Sequence, residues 1–286
     1  MSALLTIIIV NYRVYHHLDH CLASIQRSGH SFQIDIVVVD NEYSPEDQAL
    51  LAAKYPAVQW LSEATNIGFA KANNRALQLV NTDYVLFLNP DTLLTPDVLQ
   101  QSIEYLQIHV EVGALGVQMK NIQGAFLPES KREIPTIKGS VFKLTGIADR
   151  FPDSPFFNSY ALGHLDSGGV HKVPVLAGAF MMMPSEVAKQ AGGFDESFFM
   201  YGEDIDISLR ILELGKENHY LGTAVITHIK GVSSKQNPDY LNHFYGSMKI
   251  FLDKYPHLYG GKSGIWLLKI FIQTILIVSR ITKKYK

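Results

Sequence analysis

The sequence predicts an α/β fold with a mostly parallel, Rossmann-like central sheet flanked by helices, closed by an apolar, amphipathic C-terminal helix. Three observations carry this. Continuous β-branched and apolar runs recur at Leu5–Val10, Asp35–Val39 and Tyr84–Leu88, as expected of strands buried on both faces. Segments of helical length and spacing separate them, which implies parallel pairing through crossover helices. Each strand is followed by a polar cluster: Asn11-Tyr12-Arg13, Asp40-Asn41 and Asn89-Pro90-Asp91. In open parallel sheets the ligand crevice lies beyond the carboxyl ends of the strands, so these clusters should converge.

Taken in order, Leu5–Val10 is the first strand and His16–Arg27 a helix ending near Gly29. Asp35–Val39 is the second strand, Pro45–Lys54 a helix, and Val58–Leu61 a short strand. Phe69–Leu79 reads as a helix and Tyr84–Leu88 as a strand. Thr95–His109 reads as a helix with Pro96 in its first turn, where a missing N–H costs nothing. From about residue 113 to 166 the periodicity weakens and Gly, Pro and aromatic residues dominate, so loops and short strands in a mobile, acceptor-facing region are expected. Val173–Met183 resumes as an apolar strand around Ala177-Gly178-Ala179, and Ser185 is a plausible cap for a helix to Gly192. A late strand at Ala224–Thr227 delivers His228, and Tyr240–Lys254 is a helix.

The bulk numbers restrict the function. With 286 residues, 47% of them hydrophobic, the chain can bury a large core. A net charge of −2 gives no basic field for nucleic acid. The single Cys21 excludes an intramolecular disulfide and a cysteine zinc site, which fits a reducing compartment. The N-terminal apolar run is too short and lacks the basic flank of a secretory signal. Ile265–Val278 is strongly apolar and is followed by Arg280, Lys283, Lys284 and Lys286. The run is shorter than the ~20 residues that span a bilayer. The expectation is a helix lying at a membrane interface with a cationic end, and the alternative is a terminal helix packed on the domain or in a homodimer.

Phe198–Arg210 is the most informative stretch. It places Glu203, Asp204 and Asp206 within four positions, after an aromatic, glycine-bearing turn and at the start of a segment with apolar residues at 205, 207, 209, 211, 212 and 214. Carboxylates at a helix start are favoured by the helix dipole, so a capped, solvated helix end is one reading. The other is a general base on a rigid support at the rim of a pocket.

Eight segments together resemble the inverting glycosyltransferases of family 2, with the GT-A fold, in their bacterial rhamnosyltransferase-like branch. They are Thr6–Tyr12, Val37–Asn41, Asn66–Asn74, Leu86–Thr92, Ala177–Met181, Gly193–Glu196, Phe199–Asp206 and His228–Gly231, in the family's order over about residues 5–235. Each alone is weak; their combination is specific. The resemblance implies a GT-A domain over 1–240, with a nucleotide-binding half to about 110 and an acceptor half from 111, and a membrane-associating segment over 241–286. It implies a hexosyltransferase that takes a nucleotide-sugar, dTDP-L-rhamnose being favoured over UDP- or GDP-sugars. The acceptor would be a hydroxyl of a cell-surface polysaccharide or lipid-linked glycan, at the cytoplasmic face of the plasma membrane.

The resemblance also distributes roles. Asp40, with Val10 and Tyr12, is expected to hold the nucleotide base, although alone it reads as an Asx turn. Asn66, Gly68 and Asn74 stand near a helix start suited to a diphosphate, and Lys71 adds charge or is merely solvated. Asn89-Pro90-Asp91 takes the place of the family's D-x-D motif, with Asn89 replacing the first carboxylate. Asp91 and His228 would then ligate Mn²⁺ or Mg²⁺, hard cations that accept oxygen ligands and keep several waters. Asp204 matches the family's catalytic base. Glu203 is an acceptor contact, or the base if the register differs by one. Asp206 supports its neighbours, and Arg132 is near donor sugar or acceptor, or solvated. Phe198, Phe199 and Tyr201 form a wall against the sugar or part of the core. A sugar nucleotidyltransferase would need a Gly-rich basic loop after the first strand, which Asn11-Tyr12-Arg13-Val14 is not. A decayed, non-catalytic scaffold should have lost Asp204, Asp91 or His228.

Overall fold

The computed structural model describes residues 3–229 and 239–259, with 261, 264–266, 268–270, 272–274 and 276. Gly231 and the basic residues from Arg280 onward lie outside the described residues. The first 94 residues alternate strand and helix: β1 (Leu5–Asn11), α1 (Tyr15–Arg27), β2 (Ile34–Asn41), α2 (Pro45–Lys54), β3 (Val58–Glu63), α3 (Phe69–Leu77), β4 (Tyr84–Leu88) and the short β5 (Thr92–Leu94). Then come α4 (Val98–Ile108), β6 (Val112–Lys120), β7 (Lys131–Arg132), α5 (Ile137–Leu144) and α6 (Ile147–Arg150). The rest is β8 (Val170–Lys172), β9 (Val175–Leu176), β10 (Phe180–Pro184), α7 (Ser185–Gln190), α8 (Glu203–Glu213), β11 (Glu217–His228) and α9 (Tyr240–Lys254).

One sheet runs through the molecule in the order β3-β2-β1-β4-β10-β6-β11-β5, with β8 paired to β11. The strands β3, β2, β1 and β4 are parallel, and β1 is buried along its whole length, which is why its sequence shows no polar alternation. Two apolar clusters cover the faces, one centred on α1 and α4 and the other on α3 and α8. Parallel register aligns the ends: Asn11 pairs with Asp40, and both point to the edge where Asn89 emerges. Strand β10 runs antiparallel against β4, with Phe180 opposite Leu88. Its leading residues Ala177–Ala179 therefore lie at the same edge, where the Asn89 N–H donates to the Ala179 carbonyl at 3.0 Å. Strand β5 pairs with the end of β11, setting Thr92 beside His228.

The structure departs from the sequence reading in five places, one being that the apolar stretch Val173–Met183 forms two strands, β9 and β10, in different sheets. The expected loop region begins instead with β6, a nine-residue strand buried in the sheet. Its glycines, read as breakers, mark close approach: a Cβ at Gly113 would lie 2.6 Å from the Lys216 Cβ, and one at Gly116 would lie 2.7 Å from the Leu176 side chain. The helix expected from Thr95 starts three residues later, leaving Pro96 ahead of it. Ser185 is the first residue of α7 and its side chain makes no cap. The strand delivering His228 begins at Glu217, seven residues earlier than its apolar run suggested.

Helix α9 is tied to α8 at Asp206, which is fully buried. Tyr255 OH donates to Asp206 Oδ1 at 2.7 Å, Lys254 Nζ lies 2.6 Å from the same oxygen, and Arg210 Nε donates to Oδ2 at 2.8 Å. Phe198, Leu209, Phe251, Tyr255 and Tyr259 form a third apolar cluster here, joined by Ile265 and Ile272 of the C-terminal segment. On the same segment Trp266 is 65% and Ile270 47% exposed. Among the described residues no helix is long and apolar enough to cross a membrane.

Candidate active site

A cavity of about 780 Å³ opens at the aligned strand ends, a volume suited to a large ligand. Of the residues singled out by sequence, Val10, Tyr12, Asn66, Gly68, Asn89, Asp91, Arg132, Glu203, Asp204 and His228 line it, so positions over 200 residues apart meet in one place.

Asp91 and His228 approach because β5 pairs with β11, and the Ile229 N–H donates to the Asp91 carbonyl at 2.8 Å. His228 Nε2 lies 3.2 Å from Asp91 Oδ1. Both side chains are largely buried, and Asp91 Oδ1 has no hydrogen-bond partner among the described residues. A buried carboxylate oxygen left unsatisfied is costly, and a cation shared with the imidazole would satisfy it. No group of three or more His, Cys, Asp or Glu suited to a metal occurs among the described residues. Two protein ligands nevertheless fit Mn²⁺ or Mg²⁺ when waters and a diphosphate complete the shell. The neutral Asn89 also lines the cavity.

The second polar group sits at the start of α8. Tyr201 and Gly202 both have positive φ (69° and 87°), a tight turn that leads directly into Glu203. Strain of this kind in a non-glycine residue is held in place by its surroundings and clusters at functional sites. The N-cap residue is Gly202, which has no side chain to cap the helix. The acidic cluster is not a solvated end, since Glu203 and Asp206 are buried and Asp204 accepts the Ile205 N–H at 2.8 Å. Arg132 Nη2 donates to Asp204 Oδ2 at 2.5 Å and to the Leu176 carbonyl at 2.8 Å. The ribbon formed by β7 and β9 carries Arg132 there, with Arg132 opposite Val175. Burial works against the guanidinium charge, but the Asp204 carboxylate outweighs it and raises the Arg132 pKa. The Gly178 N–H donates to Asp204 Oδ2 at 3.2 Å. Glu203 is 8% exposed and its Oε2 has no partner among the described residues. Burial first, then the neighbouring Asp204 charge, pushes the Glu203 carboxyl up to about 8.

Four expected residues stand outside the cavity. Asp40 is fully buried behind it: Asn11 Nδ2 donates to its Oδ1 at 2.8 Å, and Tyr15 OH donates to its Oδ2 at 2.8 Å. Burial raises the Asp40 pKa against these two hydrogen bonds. Its neighbour Asn41 lines the cavity instead, donating to Asn66 Oδ1 at 2.8 Å. Lys71 is exposed on α3. Asn74 clamps the 193–196 turn, donating to the Phe194 carbonyl and accepting from the Phe194 N–H, both at 2.8 Å. Asp206 anchors α9. The N–H expected for a diphosphate at the start of α3 is partly used, since Phe69 N–H donates to the Phe199 carbonyl at 2.7 Å. Sequence reasoning gave no role to Glu129 or Tyr240, which line the cavity from a 3₁₀ turn and from the start of α9. Their immediate sequence carries no chemical pattern that would single them out.

An α/β sheet with an antiparallel insertion and a cavity at its strand ends is the architecture of GT-A glycosyltransferases. Three such solved structures share the fold. GalNAc-T7 with UDP, GalNAc and Mn²⁺ aligns with a TM-score of 0.63 at 14% identity, covering 95% of this chain and 55% of that one. The mannosyltransferase PcManGT from Pyrobaculum calidifontis, in complex with GDP-Man and Mn²⁺, gives 0.60 at 16%, covering 96% and 70%. S. aureus TarS residues 1–349 give 0.55 at 17%, covering 86% and 64%. Residues 3–238 match the model of the family described as Glycosyltransferase like family 2, and the chain belongs to that family. It is 25% identical over 264 residues to the N-acetylglucosaminyl-diphospho-decaprenol L-rhamnosyltransferase of Mycobacterium tuberculosis, covering 88% of this chain and 85% of the relative. To the rhamnosyltransferase WbbL of Escherichia coli K12 it is 26% identical over 227 residues, covering 75% and 79%. The protein is a glycosyltransferase.

Proposed function

We propose that this enzyme transfers L-rhamnose from dTDP-L-rhamnose to a hydroxyl of a lipid-linked or cell-surface glycan, inverting the anomeric centre. The observation that carries the reading is the meeting, in one cavity, of a buried Asp91–His228 pair with an unsatisfied oxygen and the Glu203–Asp204 carboxyls. The two rhamnosyltransferase relatives favour the donor. The first of them names a decaprenyl diphosphate carrier, which favours a lipid-linked acceptor.

In this reaction the acceptor oxygen bonds to the anomeric carbon as that carbon's bond to the diphosphate oxygen breaks. The electron pair leaves with the nucleoside diphosphate, and the hydroxyl proton passes to the carboxylate pair. Asp91 and His228 would hold a divalent cation that offsets the charge on the leaving diphosphate. Val10, Tyr12, Asn41 and Asn66 bind and orient the nucleotide at the strand ends. Tyr201 and Tyr240 wall the sugar and help exclude water.

The test is thermal stability with dTDP-, UDP- and GDP-sugars, with and without Mn²⁺. Donor at about 100 times its Kd stabilises by about 2.7 kcal/mol, a rise of several degrees. We expect the largest rise with dTDP-L-rhamnose plus Mn²⁺ and its loss in Asp91→Ala. A larger rise with another donor overturns the assignment of rhamnose, and a rise that survives chelation overturns the metal.

We also infer peripheral attachment to the cytoplasmic face of the membrane through the C-terminal segment. Exposed Trp266 and Ile270 share a segment whose Ile265 and Ile272 are buried, and four basic residues follow in sequence. Removing residues 264–286 should release the protein from anionic vesicles in co-sedimentation. Retained binding would count against the attachment, and conversion of a dimer to a monomer would identify the segment as a subunit contact.

A further inference from the structure

Two carboxyls adjacent in sequence face the same cavity, and among the described residues only one is paired with a cation. Arg132 pairs with Asp204 at 2.5 Å while Glu203 Oε2 has no partner among the described residues. Arg132 is not free to choose between them. Its Nη2 is also fixed on the Leu176 carbonyl and its Nη1 faces Tyr160 OH at 3.5 Å, so the β7–β9 ribbon holds the guanidinium in one place. Both side chains of the pair are largely shielded, at 11% and 16% exposure, where a charge pair is screened little by solvent. Asp204 is further fixed by the Gly178 N–H at Oδ2 and the Ile205 N–H at Oδ1, three donors on one carboxylate.

We propose that Arg132 is a positioning residue that assigns the two carboxyls different tasks: Asp204 stays the charged proton acceptor, and Glu203 serves as a neutral hydroxyl-bearing group that donates a hydrogen bond to a sugar hydroxyl in the cavity. This rests on the glycosyltransfer reading of the site and goes beyond it by giving Arg132 a positioning role and Glu203 a hydrogen-bond-donating one.

The physical reason is that two buried like charges cannot both ionise cheaply beside one cation. The groups facing Glu203 are Asp204 and Asp206 on its own helix and Arg132 from β7; Glu129, Asp91 and His228 line the same cavity. Asp206 has its own partners in Arg210, Lys254 and Tyr255, so it draws no charge from Arg132. Among the described residues Glu203 is thus the carboxyl without a paired cation. Burial and the Asp204 charge push it up to about 8, in accord with the geometry. The acceptor hydroxyl proton then passes to Asp204 as the new glycosidic bond forms, and Glu203 keeps its own proton throughout.

The test uses Glu203→Gln, Asp204→Asn and Arg132→Met in the full chain, with two readouts. The first is transfer activity against pH. Asp204→Asn should lose at least about 100-fold, the usual worth of a general base. Glu203→Gln, which keeps a hydrogen-bond donor, should lose no more than about tenfold and leave the acid limb of kcat unmoved. Arg132→Met should move that limb to higher pH, because Asp204 would share the site with Glu203 without a cation; a merely structural role would lower the rate with no such movement. The reverse ranking of the two carboxyl variants, or an unmoved limb in Arg132→Met, overturns the proposal.

The second readout is Tm against pH and needs no substrate. A carboxyl protonated when folded but ionised when unfolded contributes stability that is present below its unfolded value and is lost as pH rises toward its folded value. The Tm of the wild type should therefore fall relative to Glu203→Gln between about pH 4.5 and 8. Parallel curves would show Glu203 ionised and overturn the proposal even if the wild type transferred nothing. A falling wild-type curve without transfer to any sugar acceptor would instead overturn the reading of the reaction.

Discussion

The Gly178 backbone packs directly against the Asp204 side chain. Its N–H donates to Asp204, and a Cβ there would lie 3.3 Å from the Asp204 Cβ, so any side chain pushes the carboxylate by a few tenths of an ångström. Gly178→Ala is expected to lower kcat by about tenfold or more with Tm near that of the wild type, because small misplacements of a reacting group are costly in rate. A lower Tm with unchanged kcat would show that the backbone, not Asp204, gives way. At this scale the sequence was partly legible. Asp91, His228 and Asp204 belong to short motifs after strands or before a helix, and the structure brings them to one cavity. Asp40, Lys71 and Asn74 carry the right chemistry at the right distance along the chain, but direction is not written in it. Asp40 faces Asn11 and Tyr15, and Asn74 faces the 193–196 turn.

Helices α8 and α9 meet around one buried charge. Asp206 accepts from Arg210 and Tyr255 and lies beside Lys254, and Lys254 also reaches Asp195 at 2.5 Å. Removing one partner of a buried ion network strands the others, so Asp206→Ala is expected to cost about 3–5 kcal/mol, measured by denaturant unfolding. Tyr255→Phe removes one hydrogen bond from the same network and should cost only about 1–2 kcal/mol. Equal losses would argue that Asp206 acts through Tyr255 alone. The element pattern from β1 to β4 was readable because β1, β2 and β4 carry apolar runs and each connection between strands is a helix. Strand β6 was not, because Gly113 and Gly116 look like breakers until the side chains they make room for are seen. The first half of β11 was hidden for a different reason: Glu217, Asn218 and His219 are polar, and their partners come from Lys172, Pro174 and Tyr105 far away in sequence.

Across the whole molecule, the Asn66–Gly68 loop and the acidic motif are joined directly. Gly68 has φ of 87°, and a Cβ there would lie 2.7 Å from the Phe199 carbonyl that already accepts from the Phe69 N–H. Gly68→Ala is expected to destabilise by about 1–3 kcal/mol from backbone strain alone. It should also weaken donor binding and transfer together, read as Tm and kcat/KM, since one contact supports Asn66 and the Phe199–Glu203 turn. A stable variant with unchanged kinetics would show that the two sides of the cavity are independent. Strand β10, finally, bears on how the chain folds. The four parallel strands from β3 to β4 close from neighbouring sequence, whereas β4 meets β10 only after the chain has passed through β5 to β9. Long-range pairings are entropically late, so during synthesis the edge of β4 stays bare until Phe180–Pro184 emerges. The floor of the cavity is then among the last parts of the sheet to seal, and a chain cut short before β10 would present an apolar open edge prone to aggregate.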